Sequence, residues 1–153
     1  MVERRADGRM ADFDPQALAN IPWAFAKAEH TAPAMFDALA AEMVERRADG
    51  RMADFVSQAL SNISWAFATA EHEAPALYDA IEAEMVERHA DGRIADFHPQ
   101  ALANISWAFA KAEHKAPALF DAIRTEAKRR GKSLPRNEVG ALKSAFELAG
   151  LQF

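Results

Sequence analysis

Three tryptophans occupy the same position in three near-identical segments, IPWAFAKAEH, ISWAFATAEH and ISWAFAKAEH. At 100° per residue, Trp23 points about 140° away from Leu18, on the side of a helix that also carries amides and a lysine. Indole rings stack on bases for about 1–3 kcal/mol each, amides hydrogen-bond to base edges, and lysines contact phosphate. The predicted RNA-binding stripe consists of Gln16, Asn20, Trp23, Lys27, Gln58, Asn62, Trp65, Gln100, Asn104, Trp107 and Lys111.

Packing between repeated units is the alternative interpretation of these residues, and for the rings alone it is favoured. Ala19, Ala24 and Ala26 let neighbouring helices approach closely and leave room for a large ring between units. Asn20 and its equivalents are suited to bonding a loop carbonyl and holding successive units in register. The stripe therefore has two open interpretations, an RNA surface and a seam between units.

Positions that differ between the copies are better candidates for reading a ligand. The most variable is the start of the first helix of each unit, where Asp14, Val56 and His98 stand. His98 is accordingly included among the candidate RNA-binding residues. Neutral drift of surface residues explains the variation equally well.

A basic segment, RTEAKRRGKSLPR, spans Arg124 to Arg136 and has six bases and one acid. Lys128, Arg129 and Arg130 are its candidate phosphate contacts. The alternative is a solvated helix end and loop, which is the usual role of a charge run. Two acid–base pairs elsewhere, Glu42/Arg46 and Glu84/Arg88, have i,i+4 spacing in the favourable order on a helix, worth a few tenths of a kcal/mol each.

The sequence contains no signal for catalysis. His30, His72 and His114 each follow a glutamate, but the copies lie one unit apart, too far to share an ion bound at about 2 Å. Capping of helix ends is the favoured role for these histidines. The zinc-peptidase, phosphate-loop and dinucleotide motifs do not occur in the sequence. We expect no enzyme activity, no metal, no cofactor and no small-molecule substrate.

Composition limits the partners. The chain has 153 residues, no cysteine and a net charge of −5. It has no apolar run long enough for a membrane span and no secretory signal, so we expect no membrane association. Residues 1–123 carry eleven bases and twenty acids, a net −9, which favours a protein partner as the alternative to RNA.

Self-similarity at a period of 42 residues defines the domain organisation. Units begin at Met1, Met43 and Met85, and the first two are identical at 32 of 42 positions. A degenerate fourth unit follows, in which LPRNEVGALKSAFELAG aligns with FHPQALANISWAFAKAE. In structural terms, residues 1–12 end a second helix, helix pairs start near 13, 55 and 97, and the degenerate unit covers 134–153. One domain spans residues 1–153.

Each unit is predicted to contain two helices. The first begins near Pro15, Ser57 or Pro99 and ends around AEH. The second opens at Pro33, Pro75 or Pro117 and stops near a glycine, Gly50 or Gly92. A helix pair cannot bury its apolar face alone, so stacked units predict an all-α solenoid of about seven helices.

The N-cap residues and one internal proline differ between the predicted units. Asp14 is a good N-cap, whereas Val56 and His98 are poorer ones. Pro22 stands inside the first helix, where it removes a backbone hydrogen bond and is expected to kink the helix. Ser64 and Ser106 hold this position in the other copies.

The unit resembles the octotricopeptide repeats and the related helical repeats of RAP-domain and FAST-kinase-like proteins. The matching stretches are PQALANIPWAFAKAEH, SQALSNISWAFATAEH and PQALANISWAFAKAEH, followed by APAMF, APALY and APALF. The resemblance covers residues 13–150. It implies a right-handed α-solenoid that binds single-stranded organellar RNA, acts in its processing, stability or translation, and resides in a chloroplast or mitochondrion.

Overall fold

A computed structural model describes residues 9–153, and α-helices dominate this part of the chain. It contains seven α-helices, four short 3-10 helices and no strand. The α-helices are α1 (Pro15–Lys27), α2 (Pro33–Ala48), α3 (Ser57–Thr69), α4 (Pro75–Ala90), α5 (Pro99–Lys111), α6 (Pro117–Arg130) and α7 (Arg136–Leu148). The 3-10 helices are Arg9–Asp12, Arg51–Asp54, Arg93–Asp96 and Gly131–Ser133. The all-α prediction with about seven helices is confirmed.

The helices form two layers in the manner of a helical repeat. Helices α1, α3, α5 and α7 pack side by side in one layer, and α2, α4 and α6 in the other. Contact within the odd-numbered layer is the more extensive, because its helices meet through small side chains. Ala66, Ala68, Ala108 and Ala110 are buried there. The close approach predicted from the alanines is confirmed.

The helix starts follow the sequence signals with one exception. Asp14 Oδ1 accepts a hydrogen bond from the Ala17 amide at 2.7 Å, so it is the predicted N-cap of α1. Val56 makes no such bond at the start of α3. His98 was expected to be a poor cap, yet its Nδ1 accepts from the Gln100 amide at 3.2 Å. A histidine ring nitrogen that carries no hydrogen can accept such a bond, which the usual preference for Ser, Thr, Asp and Asn at the N-cap does not take into account.

The turn after each odd-numbered helix closes in one way throughout. The His30 amide donates to the Phe25 carbonyl at 2.9 Å, and the His72 and His114 amides repeat the bond at 3.1 Å. The residue before each histidine takes a left-handed conformation, with φ of 54–55° at Glu29, Glu71 and Glu113. In the fourth unit Gly150 occupies this position with φ 76°. This is the geometry that usually selects glycine at a helix end.

The core lies between the two layers. Leu18, Leu60 and Leu102 are fully buried at its centre. Edge-to-face ring pairs join successive units, with centroids 4.9–5.0 Å apart. These pairs are Phe36–Phe67, Tyr78–Phe109 and Phe120–Phe146.

Position in the array changes the burial of identical residues. Ile63 and Phe67 are fully buried, whereas Ile21 and Phe25 at the same places in the first unit are half-buried. Among the described helices, none packs on the outer side of α1. A neighbouring unit therefore completes the burial that each helix pair begins.

The i,i+4 acid–base pairs predicted on the even-numbered helices form, and they are buried, which their spacing alone did not indicate. Arg46 Nε lies 2.8 Å from Glu42, and Arg88 Nε lies 2.6 Å from Glu84. All four side chains are at most 5% exposed. Arg88 Nη2 also donates to the carbonyls of Met52 at 3.1 Å and Phe55 at 2.7 Å. The pair thus ties the end of α4 to the turn before α3, a contact that helical spacing alone does not reveal.

Helix α1 runs past its internal proline without ending. Pro22 is buried, and the helix continues to Lys27. In the other units the equivalent serines bond within their helices, since Ser64 Oγ donates to the Leu60 carbonyl and Ser106 Oγ to the Leu102 carbonyl, each at 2.8 Å. Pro22 in the first unit has no hydroxyl to make this bond and no backbone N–H to donate within the helix.

Replacing Arg88 with methionine should lower the free energy of unfolding by about 1–3 kcal/mol, because two turn carbonyls lose this donor and the buried Glu84 carboxylate keeps only its contact with Arg47 at 3.0 Å and the more distant Arg93. Urea denaturation followed by circular dichroism measures the loss. Arg93→Met is the control, since Arg93 is 38% exposed, pairs with the exposed Asp91 at 2.7 Å and lies 3.8 Å from Glu84, so its loss should cost much less than that of Arg88. Equal losses in the two variants would show that burial of the pair is not the determining factor.

Pro22→Ser should raise the free energy of unfolding by up to about 3 kcal/mol, the usual penalty of proline inside a helix. Serine restores the backbone amide and supplies the hydroxyl that Ser64 uses in the second unit. The reciprocal substitution, Ser64→Pro, should destabilise by a similar amount in the same denaturation experiment. A Pro22→Ser protein that unfolds at lower urea would show that the first unit is built around the proline.

Candidate nucleic-acid interface

A groove crosses α1, α3 and α5 on the odd-numbered layer and encloses about 760 Å³. Eight of the eleven stripe residues line it, together with Ala26, Glu29 and Thr69. The eight are Asn20, Trp23, Lys27, Gln58, Asn62, Trp65, Gln100 and Asn104. Packing of α1, α3 and α5 side by side converts a repeated helical face into one continuous surface.

The tryptophan rings take part in both the seam and the groove. The Trp23 and Trp65 centroids lie 6.4 Å apart with the ring planes tilted by 41°, so the rings meet across α1 and α3. Both residues are half-buried, and Trp65 also packs against the core. Packing and an accessible ring surface are therefore compatible at these positions.

The amides pair along their own helices. Gln16 Nε2 donates to Asn20 Oδ1 at 3.0 Å, and Gln58 Nε2 donates to Asn62 Oδ1 at 2.8 Å. Both bonds stay within one helix. They therefore differ from the packing interpretation, in which Asn20 and Asn62 bond a loop carbonyl of a neighbouring unit. Each pair leaves an Asn Nδ2 donor and a Gln Oε1 acceptor unused by that bond, as reading a base edge requires.

The groove has little net charge. Lys27 is the one cation among its lining residues and Glu29 the one carboxylate. The Lys27 ammonium lies 4.8 Å from the centroid of the Trp23 ring, a cation–π contact that holds the charge over the groove. A ligand here would depend on stacking and hydrogen bonds more than on phosphate contacts.

Three predicted stripe residues and His98 lie outside the groove lining. Gln16 reaches it only through its bond to Asn20, and Trp107 is half-buried on α5. Lys111 Nζ lies 3.6 Å from Glu71 Oε1 at the end of α5. His98 is exposed, with its Nδ1 occupied in capping.

The basic segment is only partly available for phosphate. Arg130 is 10% exposed, its Nε lies 2.6 Å from Glu126, and its Nη2 donates to the Ile94 carbonyl at 3.1 Å. Arg130 is therefore a structural residue, which corrects its assignment as a phosphate contact. Arg129 is largely exposed but forms an ion pair with Glu126 at 2.7 Å, while Lys128 is exposed. Hydrogen bonding by Arg129, with Arg130, lowers the pKa of Glu126 to about 2.

The side chains of His72 and His114 bridge units instead of capping helices, whereas the His30 ring packs on Phe25 of its own unit at 5.3 Å. His72 Nε2 lies 2.7 Å from Asp37 Oδ1, and His114 Nε2 lies 2.9 Å from Asp79 Oδ1. Their partners are 35 residues away in sequence, so helix-end patterns could not identify them. Within residues 9–153 no group of three or more His, Asp or Glu side chains is placed to hold a metal ion.

Comparison with protein-family models, with curated proteins and with solved structures found no match for the chain. In the described part of the chain, the helices are too short and too polar to cross a bilayer. The geometry of the groove is therefore the main structural basis for a functional proposal.

Acid should destabilise the fold through Glu126. Its folded-state pKa is lowered from the usual 4.5 to about 2, so its stabilising contribution is complete above pH 4.5 and is lost as the pH falls towards 2. The decrease in urea midpoint between pH 6 and pH 3 should be smaller in Glu126→Gln than in the unmodified protein. Glu147→Gln, at an exposed site, should leave that decrease unchanged. An unaltered decrease in Glu126→Gln would contradict the assignment.

Proposed function

We propose that the chain is a right-handed α-solenoid of 42-residue units that binds single-stranded RNA in the groove across α1, α3 and α5. The observation that carries the proposal is the gathering of two tryptophans, five amides and a lysine along one surface. Stacking and base-edge hydrogen bonding are the interactions by which helical repeats recognise unpaired bases.

The charge of the groove predicts the character of this binding. Affinity for single strands falls with salt by a slope of about −0.7 per neutralised phosphate. Lys27 is the one cation lining the groove, so the slope should be shallow. Stacking on Trp23 and Trp65 would supply most of the affinity, at about 1–3 kcal/mol per base.

The biological setting is proposed from the resemblance to octotricopeptide-like repeats. It supports a role in processing, stability or translation of RNA in a chloroplast or mitochondrion. The amide and ring surface favours RNA binding over catalysis.

A protein scaffold is the second candidate function, favoured by the charge of residues 1–123, a net −9. In this alternative the groove holds a peptide or a partner helix. Recovery of protein without RNA on the chain immobilised as bait would support it.

Tryptophan variants test the RNA proposal most directly. Trp65→Ala and Trp23→Ala should each weaken binding of a fluorescein-labelled, random-sequence single-stranded RNA by about 5- to 100-fold, the equivalent of one lost stack. Fluorescence anisotropy at low and at physiological salt gives the affinities and the salt slope.

Trp107→Ala is the matched control, because Trp107 has the same helical position but does not line the groove. It should bind RNA as the unmodified protein does. Denaturation curves for all three variants separate lost stacking from lost stability. Absence of binding at low salt, or an equal loss in Trp107→Ala, would exclude the groove as the RNA site.

A further inference from the structure

The turns after the odd-numbered helices form one edge of the molecule, and a pocket opens between successive turns. The middle pocket, here called the turn pocket, encloses about 380 Å³ between the turn of the second unit and the end of α5. Its walls include Phe67, Tyr78, Glu71, Glu73 and Glu113. It shares no lining residue with the groove.

Aromatic rings form the inner wall of the turn pocket. Phe67 and Tyr78 are buried there, and the His114 ring stacks on Tyr78 with centroids 5.3 Å apart and planes at 26°. The His72 ring lies edge-on to Phe67 at 5.8 Å. Faces of such rings attract cations, and the attraction increases when the site is partly desolvated.

Carboxylates dominate the rim. Glu71, Glu73 and Glu113 are exposed there, and Lys111 is the one lysine or arginine among the lining residues, 3.6 Å from Glu71. Glu71 and Glu113 hold a left-handed backbone conformation that disfavours any residue but glycine. The fold thus places acids where local geometry favours glycine, which Gly150 supplies in the fourth unit.

A buried hydroxyl in the same wall has no partner. Tyr78 is 3% exposed, and its Oη makes no hydrogen bond. A buried polar group without a hydrogen-bond partner destabilises the folded state. Burial raises the pKa of Tyr78, so the hydroxyl stays neutral and its oxygen can accept a bond from an N–H donor. Phenylalanine stands at this position in the neighbouring units, as Phe36 and Phe120.

We propose that the turn pocket binds an arginine side chain of a basic peptide segment. A guanidinium is planar, stacks on aromatic rings and presents five N–H donors in a fixed fork. Here it would pair with the carboxylates of Glu73 and Glu113. A small outward turn of the Tyr78 ring, whose Oη is buried in the free chain, would let that oxygen accept a hydrogen bond from the guanidinium. This binding is independent of RNA in the groove, because the two surfaces use different residues.

Of the three pockets along this edge, the turn pocket alone has both a tyrosine hydroxyl and a glutamate at the position of Glu73. At the place of Glu73 the first pocket has Thr31 and the third has Lys115. Lys115 would repel a guanidinium. The third pocket therefore has a lysine where the turn pocket has Glu73, while Glu113 lines both pockets.

The test is a titration of the isotope-labelled full chain by nuclear magnetic resonance with the acetylated peptide GSRGSRGS. A version with citrulline, the neutral analogue of arginine, is titrated in parallel. The arginine peptide should shift amide signals of residues 71–74 and 111–114, and the citrulline peptide should not. Glu73→Lys should weaken binding at least about 10-fold, or about 1.4 kcal/mol, and Tyr78→Phe by about 3-fold.

Both substitutions introduce residue types that occupy these positions in other units, so the fold should tolerate them. If Glu73→Lys does not fold, Glu73→Thr copies the first unit and should also weaken binding. Glu147→Lys is the control, with the same change in net charge at an exposed site outside the pocket. Equal weakening by Glu147→Lys, equal binding of the citrulline peptide, or shifts confined to other surfaces would overturn the proposal.

Discussion

The buried glutamate–arginine pair near the end of each even-numbered helix is the contact on which the arrangement depends. Arg88 neutralises Glu84 within α4 and also donates to the carbonyls of Met52 and Phe55, which precede α3. Met52 lies in the 3-10 helix Arg51–Asp54, and Phe55 follows it directly. One side chain therefore neutralises a buried charge and ties the end of α4 to the turn that leads into α3. Without Arg88, Glu84 would keep only the partly exposed Arg47 at 3.0 Å and the more distant Arg93 at 3.8 Å.

Because the entry of each odd-numbered helix is fixed, these helices stack in register and their outer faces join. Side chains one unit apart in sequence become neighbours in space, as the 6.4 Å separation of Trp23 and Trp65 shows. The same stacking aligns the turns along an edge, where His72 reaches Asp37 and His114 reaches Asp79. The groove and the turn pocket are thus two consequences of one packing arrangement.

The near-identical copies are chemically unequal. Lys27 in the first unit extends over a tryptophan ring, Thr69 in the second has no charge, and Lys111 in the third contacts a glutamate at the turn. Tyr78 carries a hydroxyl that Phe36 and Phe120 lack. Such differences at structurally equivalent sites are where ligand preference would arise, since the shared residues present the same groups in every unit.

The sequence by itself determined the number, type and approximate bounds of the helices, because prolines, caps and apolar periodicity act within a few residues. It also identified the face that lines the groove, since helical geometry fixes which side chains share a side. Tertiary structure alone decided that Glu84 and Arg88 are buried, that Arg130 is structural and that His72 and His114 bridge units. Each of these depends on a partner 33 to 36 residues away, such as the Phe55 carbonyl, the Ile94 carbonyl and Asp37. Local periodicity cannot carry that information, because burial depends on which neighbour the packed layers bring against a side chain.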